Sequence, residues 1–497
     1  RRISSSVVTI NCEILHFVRM TLNSIKIMLP SSSLKTFPAA FWLINAVQFL
    51  EMLAYWTLLL QLPIYIAQKD IAGGLQWEQT TKGIIFFWWA IVQNLVPIFA
   101  GGFADRYGRK NFLLVSIVLA SAGFLVMGHT QSFTYFLIGT LILAFGLGLF
   151  KPALLGALAN TMNERNSSLG WGIYYMFLNT ATLLAVPISK LLKEQSFYYI
   201  FLFSTIVFLL SLIIVFFINK KQVQSQSENL LPFQILKKIY KNLLKPGIIL
   251  LLVAVSGFFI IYIQFYETLP NFIFDWVDSS GIVSLLNLPT AFTMATDRGT
   301  MLSYEWYYIF NSIIIITLVV IISTLTSRFT KIFSIILGLA AALIGIIFFG
   351  LFNIGYLTLI GVAFYTIGEI IINPKFSELL SSLAKPEEKS IYLSFINISM
   401  AIAFAFGSLF GSYIFQNTAE KSNVALSYIQ THHQEFKDVK QGDAMQKLSE
   451  IKRINPKELT EFLWQEEKPY IFWLLFVVIG VFSICLLYYL QKKAFFS

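Results

Sequence analysis

The chain has 497 residues, 57% hydrophobic, 16% aromatic and only 12% charged, with a formal net charge of +10 and a mean hydropathy of +0.71. Soluble globular chains average about 45–50% apolar and about 25% charged residues, so this composition excludes a soluble multidomain enzyme and a disordered chain. A disulfide scaffold is excluded too, because the two cysteines, Cys12 and Cys485, stand near opposite ends. No Cys/His spacing suits a metal, and no cofactor is expected. The basic excess is read as membrane orientation rather than nucleic-acid binding. The chain reads as a polytopic membrane protein.

Residues 1–37 begin at Arg1, and Val7–Met28 is weakly apolar, broken by Glu13, His16, Arg19 and Lys26. The segment is expected either to precede a start at Met20 or Met28 or to lie on a membrane surface. It shows no signal-peptide cleavage pattern and is given no function. Apolar stretches of about 20 residues, enough to cross a bilayer, then fall near 38–68, 80–103, 111–128, 132–160, 168–190 and 196–218. A polar segment, 219–246, separates these from stretches near 247–274, 304–327, 332–351, 354–383, 390–416 and 469–490. The expectation is an N-terminal six-helix bundle over 38–218, a linker over 219–246, and a C-terminal six-helix bundle over 247–497.

Within the linker, Ile235, Leu236, Ile239, Tyr240, Leu243 and Leu244 recur at helical spacing against Lys237, Lys238, Lys241 and Lys245. That pattern predicts a basic amphipathic helix on the inner membrane surface. The insert 417–468 carries eight basic and nine acidic residues. Its Asn455-Pro456 reads as a helix N-cap followed by proline at the first helical position. A small helical outer lobe is expected there, serving as a passive insert or as a lid or partner site. With both termini on the inner side, sixteen Lys and Arg fall in inner loops and the C-terminal tail. The short outer loops hold five, Lys69, Lys82, Lys190, Lys193 and Arg298. This asymmetry favours cytoplasmic termini.

After the second span comes Gly101-Gly102-Phe103-Ala104-Asp105-Arg106-Tyr107-Gly108-Arg109-Lys110. Gly108 permits a tight turn and Asp105 can take a neighbouring cation or cap a helix. Read alone, the cluster fits a positive membrane anchor equally well. With the six-plus-six layout it resembles the loop motif of major facilitator transporters, and the resemblance implies a gating latch at Gly101, Asp105, Arg106, Gly108, Arg109 and Lys110. Charges inside spans are sharper evidence, since each costs about 2.5–3.5 kcal/mol or more at mid-bilayer and normally marks a pathway. Three stand out: Glu51 in the first span, Lys151 in Gly146-Leu-Gly-Leu-Phe-Lys-Pro152 of the fourth, and Glu369 in Gly368-Glu369-Ile-Ile-Ile-Asn-Pro374 of the tenth. The alternative is a buried structural ion pair, but a dry surplus carboxylate would be costly. A water-filled cavity is favoured, in which one carboxylate can take a proton without leaving Lys151 unpaired. Such a set can couple proton and solute movement.

A narrower resemblance lies at the same residues. Gly148-Leu-Phe-Lys151-Pro152 with Gly172-Ile-Tyr174-Tyr175-Met-Phe-Leu-Asn179, and Phe364-Tyr-Thr-Ile-Gly-Glu369 through Pro374 with Ala384-Lys-Pro386, resemble the proton-dependent oligopeptide transporter family. So do Phe258–Leu269, with Gln264, and Trp306–Asn311. The first span departs from that family's Glu-x-x-Glu-Arg: Gln48 replaces the first Glu and Met52 the Arg, while Glu51 is kept. A further family Arg falls at Leu59, the Glu before Gln264 is Ile263, and the Pro after Asn311 is Ser312. The resemblance implies proton coupling at Glu51 and Glu369. It implies substrate binding by Lys151, Tyr55, Tyr175, Asn179, Gln264, Asn311 and Glu369, with a Lys151–Glu369 pair restored after proton release. Losing two arginines with one or two glutamates roughly conserves cavity charge, which points to a re-tuned pocket.

Other polar residues carry less weight. Glu267, Asp275, Asp278 and Glu305 are expected at interfacial span ends. Trp88, Trp89, Tyr304, Trp306, Tyr307 and Tyr308 suit an aromatic belt, and Lys375 with Glu378 suits a surface pair.

The expected fold is an all-α membrane protein, a major facilitator fold of twelve transmembrane helices in two six-helix bundles around a cavity. By resemblance, the expected function is proton-coupled import of di- or tripeptides by alternating access, in a monomer within a cell inner (plasma) membrane. The partners are then a peptide, protons and the bilayer. Alternatives are a major facilitator transporter or exporter of another small organic solute, and a receptor that has lost transport. No Walker A loop points to ATP, and no catalytic constellation points to an enzyme.

Overall fold

The computed structural model describes residues 36–69, 71–163, 166–219, 232–384, 389–436 and 438–493. The weakly apolar segment Val7–Met28 and the polar start of the linker lie outside the described residues. The first span is two helices, α1 (Ala39–Leu59) and α2 (Leu62–Ala67). Pro63 has no N–H for the carbonyl of Leu59, so the helix breaks before it and restarts with proline in its first turn. Five long helices complete the first half: α3 (Gln79–Tyr107), α4 (Arg109–Gly128), α5 (Phe133–Ala159), α6 (Ser167–Gln195) and α7 (Phe197–Phe217). Helix α3 turns into α4 through the single residue Gly108, whose φ of +99° favours glycine.

The linker contributes α8 (Pro232–Leu243). The seventh span is α9 (Pro246–Glu267), continued by the shorter α10 (Leu269–Trp276). An outer excursion follows, with α11 (Ser280–Leu285) and a small antiparallel hairpin of β1 (Thr293–Thr296) and β2 (Gly299–Leu302). This hairpin is one local feature that the helical reading did not anticipate. Next come α12 (Glu305–Thr326), α13 (Lys331–Leu351), α14 (Gly355–Leu383) and α15 (Lys389–Thr418). The insert forms α16 (Lys421–His432), α17 (Ala444–Lys452) and α18 (Pro456–Glu466), and α19 (Ile471–Lys492) is the last span. Among the described residues, eleven helical stretches are long and apolar enough to cross a membrane, and α12 adds a shorter apolar stretch, Glu305–Val319.

In the first half, α5 packs against α3 and α4, and α1 and α4 pack against α7 while α1 also meets α6. In the second, α14 packs against α12 and α13, and α9 and α13 both pack against α19 while α9 also meets α15. Close approach by small residues recurs in equivalent places. A Cβ on Gly123 of α4 would lie 2.5 Å from the Leu143 backbone of α5, and one on Gly345 of α13 would lie 2.6 Å from the Gly361 carbonyl of α14. Without a water-driven force between helices in lipid, such backbone proximity is a main source of their association. The two halves meet along α3–α15 and α6–α12.

The insert is built of three short helices, referred to below as the lobe. Asn455 accepts from the Glu458 N–H at 2.9 Å while Glu458 accepts from the Asn455 N–H at 3.2 Å, a reciprocal cap. Lys457 pairs with Asp278 at 3.0 Å, and Trp276 Nε1 donates to the Ala419 carbonyl at 2.7 Å. The lobe is thus fastened to the second half. It defines a lobe end of the molecule, opposite the linker end that carries α8.

Candidate transport cavity and its seal

Both in-span carboxylates lie midway along their helices and both are held by amides. Gln48 Nε2 donates to Glu51 Oε2 at 2.6 Å, one turn earlier on α1. Asn311 Nδ2 of α12 donates to Glu369 Oε2 at 3.2 Å and to Thr366 Oγ1 at 2.8 Å. Tyr174 OH donates to Gln48 Oε1 at 3.4 Å, tying α6 to this group. Lys151 is exposed, with no carboxylate within 4 Å among the described residues, although its charge reaches Glu51. The expected Lys151–Glu369 pair is therefore not formed. The physical reason is local: Asn311 already satisfies one Glu369 oxygen, and Lys151 remains in an accessible position.

Proline shapes both charged turns. Pro152 leaves the Gly148 carbonyl without its helical donor, just before Lys151. Pro374 leaves the Ile370 carbonyl likewise, just after Glu369. Each charge thus sits beside a backbone acceptor released from the helix ladder.

Aromatic rings line the region between these groups and the lobe end. Trp56 lies 5.2 Å from Tyr266 across the two halves, Tyr266 stacks on Tyr308 at 5.8 Å, and Tyr262 stacks on Phe404 at 5.8 Å. Tyr55 packs edge-on to Trp89 at 6.2 Å. Glu369 exerts its charge on Tyr175 of the first half as well as on Tyr262, Tyr266 and Tyr365 of the second, so these groups share one electrostatic environment.

Three expected binding residues are placed differently from one another. Tyr175 is exposed, and Asn179 donates back to the Tyr175 carbonyl of its own helix at 2.7 Å. Gln264 is not free to receive a solute. Its Nε2 donates to the Gly407 carbonyl of α15 at 2.8 Å and holds the α9–α15 contact, while its Oε1 accepts at 2.6 Å from Thr268, one turn on at the end of its own helix.

At the lobe end the halves are sealed by polar contacts. Lys193 of α6 pairs with Glu305 of α12 at 2.5 Å, and Gln61 donates to both Glu305 and Ser189 at 3.1 Å. Tyr304 donates to Gln61, and Ser303 to Glu305. Gln68 donates to Asp275 at 2.8 Å and accepts from Asn271 at 3.0 Å. Lys82 of α3, fully buried, donates to the Glu267 carbonyl at 2.8 Å and to Asn271 Oδ1 at 3.0 Å. Lys190 donates to the carbonyls of Ala291 and Thr293 beside the hairpin, at 2.7 and 2.9 Å.

This corrects the interfacial reading of Glu267, Asp275 and Glu305 and the aromatic-belt reading of Tyr304, Tyr307 and Tyr308. All six are buried. Trp89 is buried as well, while Trp88 is exposed. Lys82 and Lys190, counted as outer-loop charges, are buried too. A sequence signal did exist: Gln61 and Gln68 lie seven apart, and Glu267, Asn271 and Asp275 recur every four residues, each set forming a polar helix face. Lys375 and Glu378 do form the expected pair, at 2.9 Å.

The loop between α3 and α4 is braced within the first half. Arg109 donates to the Gly156 carbonyl of α5 at 2.5 Å, and Lys110 donates at 2.8 Å to the carbonyls of Phe216 and Ile218. Lys110 therefore places its charge at the negative end of α7. Gly101 lies against Pro152, and the exposed Arg106 guanidinium sits 5.6 Å from the Tyr107 ring centre. The Asp105 side chain lies outside the described residues.

Comparison with known proteins gives a consistent assignment. The sequence profile described as Major Facilitator Superfamily matches residues 44–408. Quinolone resistance protein NorA of Staphylococcus aureus (strain MRSA252) is 23% identical over 198 residues, 39% of this chain and 49% of NorA. Uncharacterized transporter YclF of Bacillus subtilis (strain 168) is 26% identical over 223 residues, 44% of each chain. The chain thus spans about half the length of the curated relatives it matches. Among solved structures, a point mutant of the nucleoside transporter NupG superposes with a TM-score of 0.67 at 11% identity, covering 91% of this chain and 99% of NupG. The peptide transporter POT in complex with sulfate gives 0.63 at 15% identity, covering 90% and 96%. At such identity the superpositions show the fold: two six-helix bundles, twelve membrane helices in all. With the profile spanning most of the chain, the protein belongs to the Major Facilitator Superfamily, and its long apolar helices make it a multi-pass membrane protein.

Proposed function

We propose that the protein is a proton-coupled symporter importing di- or tripeptides, with the linker end and both termini in the cytoplasm of a cell whose inner membrane holds it. The observation that carries the reading is the unequal treatment of the three central charges. Glu51 and Glu369 are each held by an amide, so either can gain a proton without breaking an ion pair. Lys151 is left accessible for the carboxylate of a solute. The sealed lobe end corresponds to an inward-facing state. In the outward-facing state a proton binds Glu51 or Glu369, and the solute carboxylate meets Lys151. The lobe end then closes through Lys193–Glu305 and its neighbours, solute and proton leave at the linker end, and the empty carrier returns. Similarity to solved peptide transporters supports the same reading.

The test is uptake of a labelled dialanine-type peptide into proteoliposomes under an inward proton gradient. Gradient-dependent uptake that is lost in both Lys151→Ala and Glu369→Gln supports the proposal. Folded, inserted protein without such uptake refutes the peptide assignment. A second reading, transport of an aromatic organic solute, is favoured by the cage of Trp56, Tyr262, Tyr266, Tyr308 and Phe404, and by apolar Met52 and Leu59 where the resemblance would place arginines. Competition of peptide uptake by planar heteroaromatic compounds separates the two.

A further inference from the structure

The linker helix α8 presents one face that its neighbours leave open. Phe233, Tyr240 and Leu244 are 75%, 66% and 51% exposed, and Lys237 and Lys241 are exposed beside them. Offsets of four, seven, eight and eleven place these five residues on one side of a helix continued through its C-terminal turn. The other side is anchored. Ile239 and Asn242 are buried, Tyr392 OH of α15 lies 3.5 Å from Asn242 Oδ1, and Lys245 Nζ donates to that hydroxyl at 2.8 Å. Helix α8 also packs against α3. It therefore touches both halves of the transporter at the linker end, where α3 finishes and α15 begins.

Three large apolar side chains left in water beside two ammonium groups suit a bilayer interface. Apolar groups enter the boundary between headgroups and acyl chains, while lysines keep their ends among the phosphates. We infer that this face of α8 docks on anionic phospholipid headgroups of the bilayer in which the protein sits, making the brace between the two halves responsive to lipid charge. Charge complementarity selects this occupant. The exposed face as described carries two cations and no acid, and each lysine near an anionic surface contributes roughly a five-fold gain in partition, or about thirty-fold for both. Because α8 contacts both α3 and α15, docking restrains the relative movement of the halves at the end that must open and close. The inference rests on the membrane fold and holds whichever solute is carried.

The test uses the full chain in nanodiscs, with Cys12 and Cys485 replaced by Ser and an environment-sensitive fluorophore on Tyr240→Cys. The discs are made either of zwitterionic phosphatidylcholine alone or with about one third phosphatidylglycerol, a proportion chosen to present an anionic surface. The expected result is a blue-shifted emission and at least two-fold protection from a water-soluble quencher in the anionic discs. High salt, which screens surface charge, should reverse it, and Lys237→Gln/Lys241→Gln should abolish it. A second label on Leu285→Cys at the lobe end reports disc integrity and should not respond. Equal protection in both lipids, or protection that survives the double glutamine variant, overturns the inference. Full quenching in every lipid also overturns it and leaves the face to a soluble protein.

Discussion

The Lys193–Glu305 pair can be tested by removing one charge. Glu305→Gln keeps side-chain length and the capacity to bond Gln61 and Ser303, but leaves the Lys193 ammonium facing a neutral group. The Glu305 side chain is 1% exposed and that of Lys193 15%. Breaking a buried pair in this way costs about 3–5 kcal/mol. Lys193 retains the Tyr304 hydroxyl at 3.2 Å and the Tyr304 ring at 4.6 Å, so the lower end of that range applies. The pair joins α6 to α12 across the two halves, so the penalty falls on the arrangement sealed at the lobe end. With that end open, both groups return to water. About 3 kcal/mol corresponds to a shift of roughly a hundred-fold in the ratio of open to closed. Spin labels at Gln195→Cys and Leu285→Cys, read by double electron–electron resonance in nanodiscs, should show growth of a longer-distance population. Glu435→Gln, on the exposed face of the lobe, should leave the distribution unchanged. Lys193→Met/Glu305→Met should return it toward the closed form, because a well-packed apolar pair replaces a buried ion pair at little net cost. An unaltered distribution in Glu305→Gln, or no recovery in the double Met variant, refutes the idea that this pair holds the seal.

Other consequences are equally direct. Glu51→Gln and Glu369→Gln should abolish uptake driven by a proton gradient while sparing solute exchange across equal pH, measured by counterflow in proteoliposomes. Gly123→Val should lower the thermal midpoint in detergent by several degrees, since its Cβ would already meet Leu143 backbone at 2.5 Å and overpacking costs about 1–3 kcal/mol. For the lobe tether, burial alone would raise the Asp278 carboxyl, but hydrogen bonds from Ser280 and the Lys457 ammonium bring it below its usual 3.8. A carboxyl depressed in the folded state stabilises it above the unfolded value, and that stabilisation is lost as pH falls through the lowered one. The hydrogen-exchange protection factor of α18, corrected for the intrinsic rate at each pH, should therefore be steady from pH 7 to 5 and fall only below about pH 4, the ordinary aspartate range. In Lys457→Ala it should already be lowered at pH 7.

The membrane helices were legible because the bilayer imposes a length and an apolar composition that few other environments demand. Their ends were less legible. Composition ran the first span through Gln61 and the seventh through Thr268, but Pro63 and Pro270 divide each into a long and a short helix. Glu51, Lys151 and Glu369 were found because a charge within an apolar run needs a reason. Their partners were not, since Gln48 and Asn311 are neutral amides that compete for the same acceptors as a lysine. The lobe-end seal was missed for another reason. Lys82, Lys190 and Glu305 stand near span ends, where a charge ordinarily faces water, and only the packing of one half on the other reveals that water is excluded. Gln264 shows the converse: its sequence context suggests a group available for solute, but its amide is taken up by Thr268 one turn on and by Gly407, whose proximity depends on the α9–α15 crossing.

The chemistry of the seal also explains how it can be reopened. Contacts such as Gln68–Asp275, Gln61–Tyr304 and Lys82–Asn271 exchange water for a protein partner at the seam, each contributing a net of about 0.5–1.5 kcal/mol, and somewhat more where a charge takes part. A few of them, with one ion pair, give a closed state favoured by several kcal/mol. A carrier must reverse this preference with the differential affinity of its solute and driving ion, and about 5.5 kcal/mol takes a two-state balance from 1:99 to 99:1. The polar seam falls within that range. An equally extensive apolar seam, at about 25 cal/mol for each Å² removed from water, would exceed it after a few hundred Å² and would be regained by no group on reopening. The hydrogen-bonding groups regain water as they separate, so the seal opens against a modest difference. Charged and amide side chains at the lobe end are therefore what allow one surface to be both closed to leakage and reversible within a cycle.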